Sequence, residues 1–188
     1  EELTTADAEK AIYQRQGTGL NEPQMEMLKG LELGREDFKK LSGYAKEKKI
    51  VFLSSPFDRS SVDLLEELEV PAFKIASGEI TNSPLLEHVA SKRKPIILST
   101  GMSTLDEVKD TLEFLKGKGV EEIILLHCVT SYPARIEEMN LRAMETLRGA
   151  FSLPVGLSDH TLGITVPIAA VALGACVIEK HFTLDRNL

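Results

Sequence analysis

The chain has 188 residues, 43% of them hydrophobic and 27% charged, with a formal net charge of −7. This length suits a single domain over residues 1–188 with a sizeable core, and the acidic balance argues against broad nucleic-acid binding while leaving room for a local basic pocket for an anionic substrate. No apolar run reaches the roughly 18 residues a bilayer span needs, the acidic start does not read as a signal peptide, and Cys128 and Cys176, each in an apolar strand-like run, read as reduced, buried thiols of a cytoplasmic protein.

From Glu1 to about Gln24 the chain carries Gly17, Gly19 and Pro23 without a clean period, which predicts an irregular loop with one short helix around Ala6–Tyr13. Met25, Met27, Leu28 and Leu31 read as the core stripe of a helix. A helix over Arg35–Lys48 follows, and from there short β-branched runs alternate with segments of helical spacing. The strands predicted are Ile50–Ser54, Ala72–Ala76, Pro95–Ser99, Glu122–Cys128, Val155–Leu157 and Ala175–Glu179. Between them fall helices at Ser60–Leu68, Ser83–Ser91, Leu105–Lys118, Asn140–Phe151 and Thr165–Leu173. Ser103 and Thr104 ahead of Leu105-Asp106-Glu107 supply an N-cap and an acidic first turn, and Gly117 and Gly119 bracket the other end of that helix.

The predicted strands are almost continuously apolar, as parallel strands covered on both faces are, and regular alternation with helices means βαβ units. Ser55, Ser77 and Ser99, each at or just past a strand end, lie 22 residues apart. That short, even unit favours a barrel over an open sheet. The expected fold class is therefore α/β, a (β/α)₈ TIM barrel, present as an incomplete portion with about six of the eight strands. The chain opens in mid-loop and stops just after a strand, so it reads as part of a longer one.

In such folds chemistry gathers at the carboxyl ends of the strands, and these ends are rich in polar groups. They read Ser54-Ser55-Pro56-Phe57-Asp58, Lys74-Ile75-Ala76-Ser77-Gly78-Glu79, Ser99-Thr100-Gly101-Met102, His127 to Pro133, Ser158-Asp159-His160-Thr161 and Glu179-Lys180-His181-Phe182-Thr183. Lys74, between Phe73 and Ile75, points to the opposite face from both. It is a rim lysine snorkelling to water, a Schiff-base lysine, or a ligand for phosphate or carboxylate; Ser55, Ser77, Ser99 and the glycines at 78 and 101 suit the last of these. His160 and His181, at the ends of consecutive strands and beside Asp159 and Glu179, are either structural or a pair of ligands for a divalent cation. His127 is a core histidine or a site residue, and His88 a surface or packing residue. Lys92-Arg93-Lys94 is a solvated helix end. No nucleophile elbow, Walker sequence, dinucleotide glycine fingerprint or CxxC pair occurs.

Six motifs in this order, FLSSPFD, KIASGE, ILSTGM, LLHCVTSYP, GLSDHT and EKHFT, resemble those of the sialic acid synthases, a family that includes N-acetylneuraminate, legionaminate and pseudaminate synthases. The resemblance runs from roughly Gln24 to Leu188, and the stretch Gln24–Leu28 is closer to the neuraminate and legionaminate type. It implies condensation of phosphoenolpyruvate with an N-acyl amino sugar, N-acetylmannosamine or a relative, to a nonulosonic acid and phosphate. By resemblance, Lys74, Ser77, Ser99 and Ser158 hold phosphoenolpyruvate, with Ser55 where some members have threonine and Thr130 where some carry asparagine. His160 and His181 become the ligands of a divalent metal, usually Mn²⁺, with Mg²⁺ or Co²⁺ as alternatives. Tyr132 and Glu79 lie near the sugar and Glu179 near the metal or its water. The resemblance further implies a homodimer, two strands and a C-terminal antifreeze-like domain not contained in these residues, and weak or no catalysis by this chain alone. Two other readings remain: a Schiff-base aldolase using Lys74, and a non-catalytic metal- or phosphate-binding barrel fragment.

Overall fold

The computed structural model describes residues 4–5, 8–10 and 23–185. In chain order the elements are α1 (Gln24–Leu31), α2 (Arg35–Glu47), α3 (Arg59–Glu67), β1 (Phe73–Ile75), α4 (Ser83–Ser91), β2 (Ile96–Ser99), α5 (Leu105–Gly117), β3 (Ile123–Cys128), α6 (Ala143–Phe151), β4 (Val155–Asp159), α7 (Thr165–Ala172) and β5 (Ile178–Lys180). The five strands form one parallel sheet in the order β1-β2-β3-β4-β5. Among the described residues no helix is long and apolar enough to cross a membrane.

Local chemistry explains the helix starts. Asp58 caps α3 by accepting the Ser61 N–H at 2.7 Å, and Asn82 caps α4 by accepting that of Leu85 at 3.2 Å. At α5 the predicted cap is a reciprocal capping box: Glu107 N–H donates to Thr104 Oγ1 (3.2 Å), and Thr104 N–H to Glu107 Oε2 (2.7 Å). Gly119 follows that helix at φ 88°, the left-handed turn predicted for its end.

Alternation along each strand separates two faces. Phe73, Ile75, Leu98, Leu125 and Leu157, all fully buried, point to the helices and build the core with Val62, Leu86, Leu115 and Met144. The opposite face carries Lys74, Ser99, Leu126, Cys128, Gly156, Ser158 and Glu179. Gly156 lets the sheet close on this side: a Cβ there would lie 2.4 Å from the Val177 carbonyl oxygen and 2.8 Å from Leu126 Cδ2.

Four expectations need correction. Ile50–Ser54 forms no strand, so among the described residues the sheet has five strands rather than six. The run is apolar because Phe52 packs against the core and edge-on to Phe38, with ring centroids 6.4 Å apart, yet it makes no ladder with β1, and Ile50 and Val51 are exposed. Helix α1 exists but buries none of Met25, Met27, Leu28 or Leu31. Residues 8–10 are not helical, and the rest of the helix predicted at Ala6–Tyr13 lies outside the described residues. Cys176 is exposed, whereas Cys128 is buried as expected.

Candidate active site

The carboxyl ends of β1, β2, β3, β4 and β5 deliver their inward side chains to one place. Lys74 Nζ donates to Ser99 Oγ at 2.8 Å and to the Ile75 carbonyl at 3.1 Å, and lies 3.5 Å from Glu179 Oε2. Ser158, the register partner of Glu179, donates its hydroxyl to Glu179 Oε1 at 2.6 Å. Ser77 accepts the Gly101 N–H at 3.0 Å. Gly101 is required by this packing, since a Cβ there would meet Thr130 Cγ2 at 2.6 Å and Ser77 Oγ at 2.9 Å. Ser77, Ser99 and Ser158 are all buried.

The electrostatics suit an anion. Burial holds the Lys74 ammonium below its ordinary pKa, opposed by the adjacent Glu179 carboxylate, so a bound anion would favour its charged form. Cys128 belongs to the same cluster, in register with Ser158, and the neighbouring Ser77, Ser158 and Lys74 act to lower the pKa of its thiol. Burial pushes that thiol up against these contacts, which keeps it neutral. Sequence reading took Cys128 as packing alone; its place in the cluster comes from register with Ser158, which only the sheet pairing shows.

Beside the lysine lies an aromatic group. The His160 and His181 ring centroids are 5.5 Å apart, and the Tyr132 ring sits 4.1 Å from His160 and 5.8 Å from His181. His160 Nδ1 lies 2.7 Å from the Val129 carbonyl oxygen, an acceptor only, so Nδ1 is the donor and Nε2 is the ring atom left to serve as a ligand. Ser158, Asp159, His160, Glu179, Lys180 and His181 line a cleft of about 150 Å³. Among the described residues no group of three or more His, Cys, Asp or Glu side chains is arranged as a metal cage. Two neutral imidazoles with water or substrate oxygens in the remaining positions would fit one divalent cation. Asp159 is not free for that role: its Oδ1 accepts from Thr161 N–H (2.9 Å) and Oγ1 (2.8 Å), and its Oδ2 from Lys180 Nζ (2.5 Å).

The remaining candidates stand further off. Glu79 accepts from Asn82 Nδ2 at 2.7 Å and makes no hydrogen bond to the cluster, and neither does Ser55, which lies on the segment without a ladder. His127 faces the helices, where Nε2 lies 2.7 Å from the Met139 carbonyl oxygen, so it is a packing residue. His88 pairs with Asp63 at 2.9 Å on the surface.

Comparison with known proteins gives a consistent picture. A family model described as the NeuB family matches residues 1–188. The chain is similar to N,N'-diacetyllegionaminic acid synthase of Campylobacter jejuni, 54% identical over 183 residues that make up 96% of this chain and 55% of that protein. It is 50% identical over 190 aligned residues to the enzyme of the same name from Legionella pneumophila, covering 99% of this chain and 53% of that one. A crystal structure of N-acetylneuraminic acid synthetase from Leptospira borgpetersenii, in complex with citrate, superposes with a TM-score of 0.84 at 39% identity, over 92% of this chain and 60% of that one. The chain thus spans about half the length of the curated relatives it matches.

Proposed function

Because the chain belongs to the NeuB family, we propose that it carries most of the phosphoenolpyruvate and metal site of a cytoplasmic nonulosonic acid synthase, on five consecutive strands of a (β/α)₈ barrel. The convergence of Lys74, Ser99, Ser158 and Glu179 beside two imidazoles is the observation that carries this reading. The names of its relatives, and the citrate complex of one of them, support a substrate of carboxylate character.

In this reading Lys74 and the hydroxyls of Ser77, Ser99 and Ser158 bind the phosphate and carboxylate of phosphoenolpyruvate, with Thr130 and Ser55 at the margin. Glu179 gives up Lys74 to the incoming anion. His160 and His181 would hold a divalent metal, which would supply Lewis-acid polarisation of the sugar aldehyde. Tyr132, stacked on the His160 ring, walls the sugar side, with Glu79 beyond it. C3 of phosphoenolpyruvate forms a bond to the aldehyde carbon, whose oxygen takes up a proton. Water then adds at C2, one of its protons passing to the Glu179 carboxylate; the C2–O bond to phosphate breaks as the new C2 hydroxyl gives its proton to the departing phosphate and becomes the keto group.

An assay of phosphate release from phosphoenolpyruvate with N-acetylmannosamine or a diacetamido relative, with Mn²⁺ present, tests the reading in the full-length protein. Release that depends on the sugar supports it. Borohydride trapping of a keto substrate on Lys74 would overturn it in favour of a Schiff-base aldolase, because the condensation passes through no imine.

A further inference from the structure

The two histidines rest on unequal supports. The His160 carbonyl accepts the Ala134 N–H at 3.0 Å, its ring donates to Val129, and Thr161 bridges to Ala134. His181 has no comparable hydrogen bond among the described residues: it follows β5, which meets β4 through three register pairs. A slip of one residue between β4 and β5 would turn His181 to the opposite face.

The last of those three pairs is Asp159 with Lys180. Alternation places this pair on the reverse face from Ser158 and Glu179, one residue before each histidine. There Lys180 Nζ donates to Asp159 Oδ2 at 2.5 Å and to the Thr161 carbonyl at 2.7 Å. Asp159 is fully buried, and its other oxygen is taken by Thr161. A buried ion pair is a poor source of net stability but a good register device, because only one alignment satisfies both charges. Neither Glu179 nor His181 could replace Lys180 opposite Asp159 after a slip, since one repeats the charge and the other is too short to reach Thr161 as well.

We infer that Asp159 and Lys180 are positioning residues that lock the β4–β5 register and so set the spacing of His160 and His181 for one divalent cation, without touching it. This rests on the two-histidine metal reading given above.

The test is Mn²⁺ calorimetry on the parent chain, Lys180→Met, Lys180→Arg and the neutral double variant Asp159→Asn/Lys180→Met, with circular dichroism melts to establish folding. The double variant is included because it leaves no unpaired charge buried. The visible absorption of bound Co²⁺ reports ligand geometry separately. Affinity for Mn²⁺ should fall about 10–100-fold in Lys180→Met and in the double variant, the Co²⁺ spectrum should change, and Lys180→Arg should recover most of both. Folded variants that bind Mn²⁺ as the parent does, with the parent's Co²⁺ spectrum, would overturn the register role alone. A folded parent that binds no Mn²⁺ would overturn the two-histidine reading and this inference with it.

Discussion

Lys74 Nζ lies 3.5 Å from Glu179 Oε2, although the first residue is on β1, the second on β5, and three strands separate them. Neighbouring strands stand about 4.8 Å apart, so in a flat sheet β1 and β5 would be roughly 19 Å from one another. No lysine and glutamate reach across that span. The sheet must curl, and the curl gathers five strand ends into one site.

On the proposed reading, Glu179 competes with an incoming anion for Lys74, from which it lies 3.5 Å. Glu179→Gln should therefore bind phosphoenolpyruvate more tightly, roughly two- to fivefold, the range of a partly exposed ion pair. Phosphate release by the full-length protein should fall in the same variant. Calorimetry and the release assay together check this split between affinity and turnover.

His160→Ala/His181→Ala should abolish the heat of Mn²⁺ binding seen with the parent chain while leaving the melting temperature of the metal-free protein little changed. Both rings lie at the strand ends, outside the apolar core. Equal binding by the double variant would locate the metal elsewhere.

Gly156→Ala should destabilise the fold, since the new methyl would meet the backbone oxygen of Val177 at 2.4 Å. Overpacking of this kind costs about 1–3 kcal/mol, which for a domain of this size lowers the melting temperature by roughly 2–12 °C. Gly149→Ala on α6, where an added Cβ meets nothing within 4 Å, should be neutral or stabilising by about 0.4–1 kcal/mol. Thermal melts of the pair decide the point.

Asp58 gives the stability a pH signature. Burial works to raise its pKa, but hydrogen bonds from Ser61 N–H and from the hydroxyls of Ser60 and Ser61 together hold it below the ordinary 3.8. A depressed carboxylate contributes stability that is present above the unfolded value and lost as pH falls through the folded one. Asp58→Ala should cost about 0.5–2 kcal/mol at neutral pH, and the gap from the parent should narrow only below about pH 3.8. Denaturant titrations at neutral and acid pH measure it.

Much of this was legible in the sequence because it is written locally. The N-cap at Thr104, the alternation that turns Lys74 away from Phe73 and Ile75, and the strand-end position of His160 and His181 need only short stretches to read. What was not legible depends on partners distant in the chain. Ile50–Ser54 has the composition of a strand and lacks a ladder, and Met25 to Leu31 have the period of a core helix and bury nothing. The roles of Cys128, Asp159 and Lys180 follow from register across strands, which no single run of residues states.

The central claim is that Lys74 and its neighbouring hydroxyls bind phosphoenolpyruvate. Calorimetric titration of phosphoenolpyruvate into the parent protein and Lys74→Met, both with Mn²⁺ present and both shown to be folded, tests it most directly. Loss of one charge-assisted contact of about 1.5–3 kcal/mol predicts at least about tenfold weaker binding by the variant. Equal affinity in the two proteins would contradict the account.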